Sequence, residues 1–306
     1  MIESGSHTPG VSSGDFGLPA GTALRVERPA QDLQMLVTSY TVLDSDPAFW
    51  SGASNWLLPG WAQIWLVLGP GIISAAVGRQ PVARLGSATL VGVTSRAVPM
   101  STAGGVSIVV GIGPSAWARL FALSAETLRD RSTPLDLVLS PAWSAELIAQ
   151  IVASDCGPDV KGVLDGFLLE HMPPPHPHEP LIASIAAMLA DEAIHDLTVA
   201  ARQAGIDGRT LLKITKRYFG FPPKMLLMRT RFLRALITLL TEPELPDVAV
   251  IPPGYYDTSH FIRDGNRFLG MTPRRFNDVT SPYVRATLRA HALVARAAVK
   301  ASSRAS

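Results

Sequence analysis

Two short sets of side chains in this chain have the types and spacing to read a polyanion with a sequence code. The first is Arg209, Thr210, Leu212 and Lys213, and the second is Thr258, Ser259, Ile262 and Arg263. Arginine and lysine donate to the O6 and N7 acceptors of guanine. Serine and threonine hydroxyls pair more loosely, and an isoleucine can meet a thymine methyl. Lys216, Arg217 and Arg267 follow one or two helical turns later. They suit phosphate contacts, which give affinity but little sequence information. For each basic residue the plainer reading is a solvated surface charge.

Such residues work only when a helix presents them on one face, and the flanking text supplies that helix twice. In the second set, Val248 to Ile251 is a short apolar run that Pro252 must stop or kink. Gly254 supplies a sharp turn. Asp257 is an N-cap, and Thr258 is an alternative one residue later. A helix then runs to Phe268 with Phe261 and Phe268 packed inward, Gly270 ends it, and Pro273 starts another. Helix, glycine turn and second helix form the helix-turn-helix plan, whose second helix can lie in a major groove.

The plan is duplicated. Val199, Ala200 and Gly205 repeat as Val248, Ala249 and Gly254, while Gly220, Pro223 and Lys224 repeat as Gly270, Pro273 and Arg274. Asp196 to Pro223 is therefore a first copy, with a second helix from about Gly208 to Phe219. Leu211, Ile214 and Tyr218 fall on its apolar face and leave the basic residues outward. A joining helix over Pro223 to Thr241, with proline tolerated in its first turn, spans roughly 27 Å at 1.5 Å per residue. One turn of DNA is about 34 Å, so such a helix can hold two reading helices on one face of a duplex.

Gly254, Tyr255, Asp257, Ser259, Phe261, Arg263, the run Gly270-Met271-Thr272-Pro273 and Phe276 resemble, at matching spacing, the second helix-turn-helix of the AraC/XylS family of transcription regulators. The resemblance covers residues 181 to about 280. It implies two helix-turn-helix units on one long helix, with the two sets above as the base-reading residues. The chain departs from the family where a buried Phe is usual, carrying Thr215 in the first unit and Gly265 in the second. Pro252 and Pro253 before the turn glycine are also unusual. Gly265 alone costs roughly 1 kcal/mol of helix propensity relative to Ala.

The two halves of the 306 residues differ in charge. Residues 1–180 hold 9 basic and 15 acidic residues, net −6, and residues 181–306 hold 18 and 10, net +8. An acidic half joined to a basic half fits one domain that meets a polyanion and one that does not. At 47% hydrophobic and 17% charged the chain can bury real cores. A single cysteine, Cys156, excludes a disulfide framework and fits a reducing cytoplasm. No signal peptide is expected, and the most apolar stretch, Ile64 to Val77, is broken at Gly69-Pro70-Gly71, too short for the ~20 residues a membrane helix needs.

Along the first half, residues 1–20 read as a disordered leader. Short apolar runs at Leu33 to Leu43, Ala62 to Leu68, Ala88 to Val93 and Val106 to Ile112 read as strands of a small β-sandwich or barrel. Helices follow, from Ser115 to Leu123, from Ala125 behind a Ser124 cap, from Ser144 to Ala153 and from Val160 to Leu169. The expected fold is α+β: a leader (1–20), a β-rich sensor domain with appended helices (21–170), a Pro-rich linker (171–180), an all-α double helix-turn-helix domain (181–280) and an Ala/Arg-rich tail (281–306). The tail is expected as a solvated helix that frays, with Arg285, Arg289 and Arg296 on its surface.

The first half also resembles, more weakly, the sensor half of some AraC-type regulators. Leu58-Pro59-Gly60 before an apolar strand, Val91-Gly92, and the segment Gly105 to Leu139 carry that likeness, with Gly113-Pro114 where a Phe-x-Pro turn is usual.

All six tryptophans lie in the first half. Trp50, Trp56, Trp61 and Trp65 are read either as core packing or as an aromatic wall around an apolar ligand. None of the seven histidines falls between residues 20 and 170, so neither a metal nor a cofactor is expected in the β unit. His176 and His178, on the Pro-rich stretch, are read as solvated. No Ser-His-Asp set and no phosphate-binding glycine loop is present in the β half, which argues against an enzyme. The expected function is a cytoplasmic, sequence-specific DNA-binding transcription regulator. Double-stranded DNA is its partner, and a small-molecule effector, RNA polymerase and a second copy of the chain are compatible ones; a membrane is not. The alternative is a ligand-binding protein or enzyme working through the first half, with a degenerate, non-specific DNA-binding domain.

Overall fold

A computed structural model describes residues 1–50, 53–68, 73–241 and 254–305. Val248 to Pro253, the run that opens the second unit, lies outside the described residues, and so does the break at Gly69-Pro70-Gly71.

The first half contributes β1 (Thr22–Glu27), β2 (Val37–Ser45), a single turn α1 (Pro47–Trp50), β3 (Ala53–Leu57), β4 (Ala62–Leu68), β5 (Ile73–Ala75), β6 (Ala83–Arg84), β7 (Ala88–Val91), β8 (Val98–Thr102), β9 (Gly105–Ile112), α2 (Pro114–Leu120), β10 (Ser132–Pro134), α3 (Pro141–Val152) and α4 (Val160–His171). The strands make two antiparallel sheets, ordered β1-β2-β9-β4-β7-β10 and β3-β8-β5-β6. Alternate residues point to opposite faces of a strand, and here both faces of the larger sheet are covered. Tyr40, Val42, Ile64, Leu66, Ile108 and Val110 pack against Trp117, Leu147, Leu164 and Phe167 of the helices. Trp65, Val67, Val91 and Val109 face Ile73, Ala75 and Val98 of the smaller sheet. That is why β4 and β9 read as nearly continuous apolar runs.

The second half contributes α5 (Glu179–Ala190), α6 (Leu197–Gln203), α7 (Gly208–Phe219), α8 (Pro223–Thr241), α9 (Thr258–Leu269), α10 (Pro273–Val279) and α11 (Pro282–Ala305). The larger sheet's helix-side core continues without a break through Ile182, Leu197, Leu211, Ile214, Phe219 and Leu226, so the first unit shares a core with the sheet. A separate cluster of Phe232, Leu236, Phe261, Phe268 and Phe276 holds the second unit together, and Trp56, Leu58 and Ala97 of the first half lean on it.

Several local expectations are corrected. The strand expected from Leu33 begins at Val37, because Gln31–Leu33 closes a 3-10 turn first. The helix from Ser115 is capped at Gly113 with Pro114 in its first turn and ends at Leu120. No helix follows Ser124; residues there form turns. Ser140 caps the next helix, by accepting from the Trp143 N–H, so it starts at Pro141.

Larger corrections concern the leader, the linker and the tail. Residues 1–20 are not a disordered leader: Gly5 bridges to Arg25, the Ile2 N–H donates to Asp44 at 2.8 Å, and Phe16 is fully buried. Phe16 packs with Leu24 and Val26 of β1 and with Tyr283, Ala290 and Val294 of α11. The tail is therefore not a solvated helix but a strap across β1. The Tyr283 hydroxyl donates to the Ala23 carbonyl at 2.7 Å and accepts from the Asp44 N–H at 3.1 Å. Each such buried side chain contributes about 1.5–3 kcal/mol. The Pro-rich stretch is pinned: Arg119 of α2 grips Glu179 through two hydrogen bonds, at 2.7 and 2.6 Å. His178 is not merely solvated, since its Nδ1 lies 2.8 Å from the Tyr218 hydroxyl.

Candidate nucleic-acid interface and sensor cavity

Each unit is built by local signals. Asp196 caps α6 and Gly205 turns the chain with φ 77°. Asp207 then caps α7, its Oδ1 accepting from Arg209 and Thr210 N–H at 2.9 and 3.0 Å. The Thr210 hydroxyl and these amides hold the Asp207 carboxyl below the usual carboxylate range. In the second unit Gly254 turns with φ 84° and Asp257, rather than Thr258, is the cap, accepting from the His260 N–H. Anionic caps also suit the positive end of a helix dipole. Both α7 and α9 end on a left-handed glycine, Gly220 and Gly270.

The structure leaves the N-terminal turns of both helices open. Arg209, Leu212, Lys213, Ser259 and Arg263 are exposed, and Thr210, Thr258 and Ile262 are half-buried. Arg267 is exposed as well. Lys216 and Arg217 behave differently, because the first half holds that end of α7. Lys216 pairs with Glu126 at 3.1 Å, and Arg217 donates to the Tyr218 hydroxyl at 3.2 Å and lies close to the Ala122 carbonyl. The Ala125 N–H donates to the Arg217 carbonyl at 2.7 Å, and the Ala97 N–H does the same to the Phe268 carbonyl at 2.7 Å. Amides of the first half thus satisfy carbonyls at the C-terminal ends of both reading helices, groups a helix leaves unpaired.

The two missing aromatics have physical accounts. A Cβ on Gly265 would sit 2.5 Å from Pro273 Cδ, so α10 crosses α9 too closely for any side chain there. Thr215 is fully buried and returns its hydroxyl to the Leu212 carbonyl at 3.2 Å. Phe219, edge-on to Trp61 at 5.7 Å, and Phe268, stacked on Phe232 at 5.3 Å, supply the aromatic bulk.

Three features go beyond the sequence reading. Asp264 is buried inside the second unit, where it accepts from the Tyr255 hydroxyl at 3.0 Å and Arg231 at 3.1 Å. Burial and the Asp264 charge push the Tyr255 hydroxyl pKa up. The signal was a carboxylate three residues after Phe261 on an inward face. Arg229 of α8 is also buried; it donates to the Gly60 and Thr94 carbonyls at 3.1 and 3.2 Å and lies over the Trp61 ring at 4.6 Å. Burial lowers its guanidinium pKa to about 10, with Asp130 opposing the shift, so it stays charged at neutral pH.

The third is a cavity of about 460 Å³ between the larger sheet, the smaller sheet, α8 and α11. Trp56, Trp61 and Trp65 line it. Trp50 does not: its Nε1 donates to the Ala20 carbonyl at 3.0 Å and its ring packs on Tyr283. The cavity does receive a histidine, His291, from the far half of the chain, 3.0 Å from Thr41 Oγ1. Searching residues 20–170 alone could not find it.

Residues 200–278 match the helix-turn-helix domain family. The chain thus carries a helix-turn-helix domain behind a mixed β-sheet and helix domain. Among solved structures it is similar to unsaturated fatty acid-bound wild-type ToxT from Vibrio cholerae, at 11% identity over 76% of this chain and 92% of that one, TM-score 0.44. ToxT from Vibrio cholerae O395 matches at 12% identity over 76% and 95%, TM-score 0.44. The AraC-like transcriptional activator CuxR matches at 11% identity over 73% and 89%, TM-score 0.30. No curated protein matches the chain. Among the described residues no helix is long and apolar enough to cross a membrane.

Proposed function

We propose that this protein is a sequence-specific transcription regulator whose grip on DNA responds to a small molecule held in the cavity. Arg209, Thr210, Leu212 and Lys213 read one major-groove segment, and Thr258, Ser259, Ile262 and Arg263 read the next. The observation that carries this is the pair of Asp-capped helices, α7 and α9, both packed on α8, with Arg209 and Lys213 exposed in the first half of α7 and Arg263 in that of α9. Arg267 holds phosphate, and Lys216 and Arg217 do so to the extent that Glu126 and the first half release them. The cavity sits where a ligand touches both α8 and the sheets, so occupancy can bias how the two halves pack. The protein acts without catalysis, in the cytoplasm, on promoter DNA where RNA polymerase works. A second copy is optional, since one chain has two reading helices.

The test is selection of bound genomic fragments by the full-length protein and by an Arg209→Ala, Arg263→Ala double variant, at two salt concentrations. A motif of two boxes about one helical turn apart, lost in the variant, is expected. Motif-free binding that vanishes with added salt would instead favour a ligand-binding protein with a non-specific basic domain.

A further inference from the structure

The walls of the cavity restrict the chemistry of what fills it. Among the described residues that line it there is no lysine, arginine, aspartate or glutamate. An ionised ligand group would lose its hydration there with no charged side chain on the described wall to pair with; Arg229, behind Gly60 and Trp61, gives its Nη1 to the Gly60 and Thr94 carbonyls. Trp56, Trp65, Val67, Ile73, Leu233 and Ile237 make most of the wall apolar.

The polar atoms that face inward gather in one corner. Thr41 pairs with Val109 and Leu43 with Ser107 across β2 and β9, so Thr41 and Ser107 are diagonal neighbours on the cavity face. His291 of α11 closes this corner through its contact with Thr41. His291 lines the cavity, and burial among protein atoms pushes its pKa down to about 4, so the ring is neutral. A neutral imidazole offers one donor and one acceptor. With Nε2 engaged by Thr41, Nδ1 is left to a ligand. The Ser107 hydroxyl, on a residue only 5% exposed, makes no hydrogen bond among the described residues and borders the same space.

We infer that the cavity's ligand is an uncharged, largely apolar molecule with one hydrogen-bonding head, such as a hydroxyl or carbonyl, seated in the Thr41–Ser107–His291 corner. Its body lies against Trp56, Trp65 and α8. This deepens the effector reading above and rests on it. Carboxylates and phosphate esters are disfavoured by the same wall.

Two fluorescent probes test the charge directly. N-phenyl-1-naphthylamine is neutral, and 8-anilinonaphthalene-1-sulfonate has the same ring frame plus one sulfonate. Titrated into the full-length protein, the neutral probe is expected to bind one equivalent at least tenfold more tightly. Leu233→Trp fills the cavity from the helix side and Val109→Trp from the sheet side. Each should weaken the neutral probe at least tenfold, with circular dichroism and thermal unfolding confirming which variants fold. His291→Lys places a cation in the corner and should raise sulfonate affinity at least tenfold. Equal or tighter sulfonate binding by the unaltered protein overturns the uncharged ligand. Neutral-probe binding that the folded tryptophan variants leave unchanged overturns the site. DNA affinity is measured with and without the neutral probe. Cavity binding with no change at the DNA supports the ligand class and counts only against the effector reading.

Discussion

The two helix-turn-helix units are copies in sequence yet are held in opposite ways. The first has no core of its own: Leu211, Ile214 and Phe219 belong to the apolar cluster that begins under the larger sheet. The second keeps a private aromatic cluster and an internal charged group, Asp264 with Arg231 and Tyr255. Unit one therefore moves with the first half of the chain. Unit two meets that half through Trp56, edge-on to Phe276 at 5.8 Å, through Leu58 and the Ala97 amide, and through the strap that follows α10. Duplicated motifs need not share a stabilising mechanism.

The sharpest way to break this comparison is to restore the aromatic that unit two lacks. Gly265→Phe drives a ring into Pro273 and should cost unit two roughly 3 kcal/mol or more. Amide exchange should speed up across α9 and α10 while α6 and α7 stay protected. Equal loss in both units would show that they fold as one.

Next comes pH, through the strap that joins the second half to β1. A histidine whose folded pKa is depressed to about 4, against about 6.5 unfolded, binds fewer protons folded than unfolded between those values. Its contribution is present above pH 6.5 and is lost as pH falls toward 4. Urea unfolding at pH 7.5 and 5.0 should differ by roughly 2 kcal/mol from this group. That part of the pH dependence should vanish in His291→Gln.

Asp264→Asn tests the internal charge. Arg231 loses its carboxylate partner, but its side chain is 31% exposed and water can replace part of the bond. A loss of about 1–2 kcal/mol is expected, seen as a lower urea midpoint for α9 exchange with α7 unaffected. The smallest effect is expected from Glu126→Ala. The pair with Lys216 is partly exposed on both sides, so stability should change by no more than about 0.5 kcal/mol. DNA affinity should rise slightly as Lys216 is freed, which a salt-dependent titration would detect.

The reading helices were legible from sequence almost to the residue, because their signals are local. Asp207 and Asp257 cap, Gly220 and Gly270 stop, and Pro223 restarts, all within a few residues of the helix they define. What was not legible depends on distant partners. The apolar stripe Tyr283, Ala290 and Val294 looks like any alanine-rich tail until Leu24 and Val26 are seen beneath it. Gly265 reads as a weakness until Pro273 is seen against it, and Trp50 cannot be told from Trp56 without knowing which faces the cavity. The reading set itself awaits the DNA selection.

The strap also sets a timetable. Phe16 emerges early in synthesis, but Ala290 and Val294, which cover it, emerge some 270 residues later. At roughly 5–20 residues per second, β1 waits roughly 14–56 s for the α11 half of its cover. Until then Leu24 and Val26 are covered only by Phe16 and the segment around it.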